Sequence, residues 1–186
     1  MLRSDKYKFV FVAIPKTGTS SIIGASKKFF EAKLPSGGGG HDQIIPSKFS
    51  DYYKFTVVRN PYDRAVSAWQ SSTQRNNGDR YGFKAKMDSS NSFRSFCKEI
   101  LKSGNALVKP QHFWLAKNNF NKILRFENLD NEWLSLEFNN NGVKLPHINK
   151  SNHKHYSEYY DEETRSIVEK VYEKDFDILN YKYENK

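Results

Sequence analysis

The feature that most constrains this chain is the stretch Phe9 to Ser21, FVFVAIPKTGTSS. Its first six residues, Phe9 to Ile14, are apolar, β-branched or aromatic, and do not alternate with polar residues. That is the pattern of a strand buried on both faces, as in a parallel sheet covered by helices. Pro15 ends the run, and Lys16-Thr17-Gly18-Thr19 form a short, hydroxyl-rich turn. Ser20 and Ser21 are then placed to cap a helix that starts near Ile22 and carries Ile22, Ile23, Ala25, Phe29 and Phe30. A strand, a turn with Gly and Lys, and a helix N-terminus bring free backbone N–H groups and the positive end of a helix dipole to one spot. Such a spot suits a phosphate.

The rest of the chain repeats the alternation of strand and helix. Phe55 to Val58 reads as a second buried strand that stops at Arg59-Asn60-Pro61, with Pro61 suited to the first position of a helix running from Tyr62 to about Ser72. Ala65, Val66 and Trp69 share one face of that helix. Phe93 to Leu101 reads as an amphipathic helix, Pro110 to Leu115 starts another, and Lys122 to Phe126 is a third strand. A helix from Asp130 or Asn131 to about Phe138 follows. Asp161-Glu162-Glu163 opens a last helix, with Ile167, Val168, Val171 and Tyr172 as its core stripe. Between these lie Gly37 to Gly40, where backbone freedom would let a segment close over a ligand, then a polar stretch from Thr73 to Asn91, and a loop from Val143 to Tyr160. The fold class this predicts is α/β, a three-layer α/β/α arrangement with a mostly parallel central sheet, in a single domain over residues 1–186.

The 30 Lys and Arg against 21 Asp and Glu give a formal net charge of +9, which favours anionic partners: nucleotides, acidic glycans, nucleic acid or an anionic membrane surface. The one cysteine, Cys97, excludes an internal disulfide and falls in an apolar-periodic stretch, so it reads as a core residue. No apolar run approaches the length of a membrane span, and no metal-ligand cluster stands out, so a soluble chain without a metal is expected.

Neither common nucleotide fingerprint fits the turn. The triphosphatase loop needs Lys directly after its last glycine, whereas here Lys16 precedes Gly18, and the dinucleotide pattern GxGxxG is absent. Lys16 would therefore lie beside a bound phosphate, positioned to act on a group leaving from it. The second stretch adds a guanidinium, Arg59, at a strand end and a hydroxyl, Ser67, about two helical turns further on. Together they would grip one dianionic group, unless Arg59 pairs with Asp63 and Ser67 faces the core.

These two stretches carry a resemblance. Pro15 to Ser21 resembles the 5′-phosphosulfate loop of the sulfotransferases that use 3′-phosphoadenosine 5′-phosphosulfate (PAPS). Val57 to Ser67, VVRNPYDRAVS, resembles their 3′-phosphate motif. The match is to the branch with carbohydrate sulfotransferases and related bacterial and viral proteins. Weaker echoes follow at Arg125 to Leu129, at Leu145 to Asn149, and at Tyr172, Asp175 and Tyr181. The resemblance implies a P-loop-like sulfotransferase fold and sulfuryl transfer from PAPS, leaving adenosine 3′,5′-bisphosphate (PAP). It implies that Thr17, Gly18, Thr19, Ser20 and Ser21 hold the 5′-phosphate, that Lys16 stabilises the leaving oxygen, and that Arg59 and Ser67 bind the 3′-phosphate. In the family a late loop closes on the nucleotide, which makes Asn149, Lys150 and Ser151 further candidates.

The family's base for the acceptor hydroxyl is a His, or sometimes a Glu, between the two motifs. His41 is the histidine there, with Asp42 beside it to orient the ring and Glu31 a lesser candidate. His112 reads as structural, and His147, His153 and His155 fall in the basic late loop. A glycan hydroxyl is the expected acceptor, with glycolipid, peptide tyrosine and small alcohols open, and no nucleic acid is expected. The chain is short for the family, which implies an open groove or a partner subunit, in a cytoplasmic bacterial or viral protein unless it is a trimmed domain. Two other readings remain at this point: a non-catalytic basic module binding acidic glycans or nucleic acid, and an ATP-dependent small-molecule kinase.

Overall fold

The computed structural model describes residues 1–35, 44–73, 82–146, 148 and 154–185. Among these residues the chain is α/β, with four strands and seven α-helices. By contact it divides into two compact units, Met1–Arg59 with Phe113–Lys150, and Asn60–His112 with Ser151–Lys186.

The first unit holds the sheet. β1 (Leu2–Ser4), β2 (Phe9–Val12), β3 (Tyr53–Val58) and β4 (Lys122–Arg125) lie in the order β1-β2-β3-β4. β2, β3 and β4 are parallel, with Phe11 beside Phe55 and Val58 beside Arg125, and β1 joins the edge antiparallel through Leu2 and Phe11. α1 (Thr19–Phe29) connects β2 towards β3, and α5 (Leu129–Leu134) follows β4. On one face of the sheet Phe9, Phe11, Phe55, Val57 and Leu124 pack with Ile22 and Ala25 of α1 and with Leu129 and Trp133 of α5. Phe11 and Phe55 stack at 5.0 Å, and Phe9 stacks on Phe138 at 4.1 Å. Val10, Val12 and Val58 on the other face are buried as well, which is why the strands read as unbroken apolar runs. Each of these fully buried side chains contributes about 1.5–3 kcal/mol by leaving water.

The second unit is helical, with α2 (Pro61–Thr73), α3 (Phe93–Ile100), α6 (Glu162–Val171) and α7 (Glu173–Leu179). α4 (His112–Leu115) is a single turn at the unit boundary. Tyr62, Ala65 and Val66 of α2 pack with Phe93, Phe96 and Cys97 of α3 and with Val168 and Tyr172. The side chain of Asn60 takes the Tyr62 N–H at 3.0 Å, which caps the helix that Pro61 begins. Burial pushes the Cys97 thiol well above its ordinary pKa, with Asp161 and Glu163 adding to the effect, so it stays a neutral core group. No helix among the described residues is long and apolar enough to cross a membrane.

Several features differ from the sequence reading, among them the helix after β4, which spans Leu129–Leu134 rather than reaching Phe138. α1 begins at Thr19 rather than near Ile22, because left-handed Gly18 turns the chain directly into it and no side chain caps it. Phe29 is 44% exposed instead of joining the core, whereas Phe30, just past the helix, is buried. β1 and α7 are elements that the hydrophobic pattern did not announce.

Candidate functional site

The loop after β2 is built from two left-handed residues, Lys16 at φ 71° and Gly18 at φ 82°. The Ile14 carbonyl accepts from both the Thr17 and the Thr19 hydroxyls at 2.9 Å, fastening the turn to the end of the strand. The Ser21 and Ile22 amides bond the Gly18 carbonyl at 3.1 and 3.3 Å. The Thr19 and Ser20 amides precede the first residue that can find a carbonyl inside α1. No acidic residue occupies the first turn of α1. Two amides at the positive end of a helix dipole, with no carboxylate on that turn, are an arrangement that can receive an anion.

Gly18 is required on two counts. Its φ is left-handed, and a β-carbon there would lie 2.8 Å from Leu129 Cδ2 and 3.3 Å from the Phe126 ring. The loop is therefore seated on the segment that follows β4.

Arg59 leaves the end of β3 and is only 4% exposed. Its Nη1 donates to the Lys16 carbonyl at 3.0 Å, and its guanidinium carbon lies 4.1 Å from the centre of the Phe126 ring. The register explains this meeting. Val58 and Arg125 are the last paired residues of β3 and β4, and Arg59 and Phe126 follow them directly.

The structure thus gathers Lys16, Thr17, Gly18, Thr19, Ser20 and Arg59 in the first unit. The Thr17 side chain is fully buried and, like that of Thr19, gives its single hydroxyl proton to Ile14, whereas Ser20 is exposed. The Ser21 hydroxyl accepts the Ile148 amide at 3.3 Å. A β-carbon on Gly24 would meet Ile148 at 2.8 Å and Pro146 at 3.5 Å, so this late segment rests against α1. Glu31, the lesser base candidate, has a side chain 64% exposed and pairs with Lys6. Ser67 lies on α2 in the second unit and is 5% exposed. His41 and Asp42, with Asn149, Lys150, Ser151, His147 and His153, lie outside the described residues.

In the second unit, fully buried Asp175 takes the Gln111 and His112 amides at 2.7 and 2.8 Å and His112 Nδ1 at 3.0 Å, a structural setting for that histidine. Arg64, 1% exposed, donates to the Leu107 and Lys109 carbonyls at 3.3 and 2.8 Å, tying α2 to that loop. Phe126 is the residue beside the loop to which sequence reasoning gave no role. The family echo at Arg125 to Leu129 included it without giving it a role, and it is the strand register that sets it beside Arg59. No group of three or more His, Cys, Asp or Glu able to hold a metal occurs among the described residues.

The sequence matches the sulfotransferase family over residues 1–182 of its 186. No curated protein and no solved structure matches it.

Proposed function

The chain belongs to the sulfotransferase family, and from that premise we propose that it moves the sulfuryl group of PAPS in line to an acceptor hydroxyl on a carbohydrate. The observation that carries the reading is the left-handed turn at Lys16 and Gly18, tied to Arg59 and opening onto the start of α1. The donor set suits a ligand with phosphates. The Thr19 and Ser20 amides lack helical carbonyls, Ser20 presents an exposed hydroxyl, and a guanidinium sits on the neighbouring strand end.

In this reading the loop amides bind the 5′-phosphate, and Arg59 and Ser67 bind the 3′-phosphate that distinguishes PAPS from ATP. Lys16 meets the negative charge that develops on the bridging oxygen as its bond to sulfur breaks. His41 accepts the hydroxyl proton as the acceptor oxygen bonds to sulfur, so the products are a sulfate ester, PAP and one proton. Nothing in this scheme is a strong covalent catalyst. Alignment and preorganised positive charge do most of the work. Asn149, Lys150 and Ser151 complete the nucleotide side. The chain's net charge of +9 suits an acidic glycan as acceptor.

The test is transfer of labelled sulfate from PAPS to a panel of glycans. Lys16→Ala should slow transfer about 100- to 1,000-fold, the cost of one charge-stabilising group. His41→Ala should slow it by a factor of about 100 or more, with the loss smaller when the acceptor hydroxyl is more acidic. Full activity in both variants would refute the assigned roles.

A further inference from the structure

We propose that Phe126 is a positioning residue of the phosphate loop, acting through Arg59. The inference rests on the sulfuryl-transfer reading for its functional consequence, though not for its geometry. Two neighbours meet this one ring, and one of them carries the contact on to Lys16. The Arg59 guanidinium lies over it at 4.1 Å. The same guanidinium holds the carbonyl of Lys16, whose backbone is left-handed. A second neighbour of the ring is Gly18, which could carry no β-carbon without meeting Phe126 or Leu129.

The physical argument is one of constraint. A lysine held at positive φ reverts to a commoner conformation unless its surroundings overdetermine it. One hydrogen bond from a long side chain is a weak restraint if that side chain is free to rotate. Arg59 is nearly buried, and a flat aromatic face beneath a desolvated guanidinium fixes the plane of its five N–H donors. One donor holds the Lys16 carbonyl, and the plane of the guanidinium at the end of β3 is fixed along with it. Because Phe126 directly follows the last paired residue of β4, the sheet register transmits its rigidity to the loop.

The test compares Phe126→Leu, which keeps apolar bulk and removes the aromatic face, with Phe126→Tyr, which keeps the face. Two measurements separate the proposal from the reading beneath it. The first is the amide NMR signals of Lys16 and Gly18 in the protein without ligand. They should shift in Phe126→Leu and stay near wild type in Phe126→Tyr. The second is the ratio of PAP to 5′-AMP affinity, by calorimetry. Phe126→Leu should lower that ratio about tenfold, the scale of a lost desolvated cation–π contact, and Phe126→Tyr should restore it. A residue that merely fills space would lower thermal stability in Phe126→Leu and leave both the loop signals and the ratio unchanged, which would overturn the proposal. If wild type itself shows no preference for PAP, the sulfuryl-transfer reading fails, and with it the ratio. Unmoved loop signals would sink the positioning role on their own. Should Phe126→Leu not fold, Phe126→Met supplies the same comparison.

Discussion

Lys16 has an ordinary β-carbon in a conformation that favours glycine, and this makes it a place where stability and function pull apart. The left-handed backbone costs a non-glycine residue about 1–2 kcal/mol, and glycine forfeits roughly 0.5–1 kcal/mol of that gain in unfolded-state entropy. Lys16→Gly should therefore stabilise the fold by roughly 0.5–1 kcal/mol in urea denaturation while slowing transfer about as much as Lys16→Ala does. A stability loss with activity retained would contradict the role given to this residue. Gly18→Ala works in the opposite direction. It adds the left-handed penalty to a β-carbon 2.8 Å from Leu129, and should cost about 2–3 kcal/mol by the same measurement. The sequence announced Lys16, Gly18 and Arg59 through local pattern alone. The contact of Arg59 with Phe126 was not legible, because it joins positions 59 and 126 through strand pairing and no local period records that.

Among the elements, α6 shows how much end chemistry contributes. Asp161 caps it, taking the Thr164 amide at 2.8 Å, while its own amide bonds the Thr164 hydroxyl at 2.9 Å. The Thr164 amide bond, then its hydroxyl and Arg94, hold the Asp161 carboxyl below the usual carboxylate range. Folding therefore favours the ionised form, so the stabilisation is complete above the unfolded pKa and is lost as pH falls through the lower folded one. Asp161→Ala should cost about 1 kcal/mol near pH 7, with the gap to wild type narrowing in urea titrations as pH falls through the lowered folded-state pKa. A gap that does not change with pH would contradict the capping account. The acids at the start of α6 made that helix easy to read. β1 was missed because Leu2, Arg3 and Ser4 are too few to show a period, and α7 because it starts only one residue after α6 ends. β2 and β3 were legible for the reason that makes them central, burial on both faces.

At the scale of the whole molecule, charge is unevenly distributed. Residues Met1–Arg59 and Phe113–Lys150 carry 15 Lys and Arg against 8 Asp and Glu, most of the chain's +9. That excess lies in the unit that holds the loop and Arg59, where it would draw an anionic donor. The α/β class and the parallel strands were readable from composition and pattern. The division into two compact units was not, since it separates Arg59 from Asn60 in the middle of one motif. The central claim is a site for a nucleotide bearing a 3′-phosphate, and a thermal-shift titration tests it most directly. A ligand at about 100 times its dissociation constant adds roughly 2.7 kcal/mol, or roughly 5–10 °C in Tm for a chain of this size. PAP should give such a shift, and 5′-AMP or ATP with magnesium should fall well short of it. Equal shifts from PAP and 5′-AMP, or a shift with ATP and magnesium alone, would contradict the account.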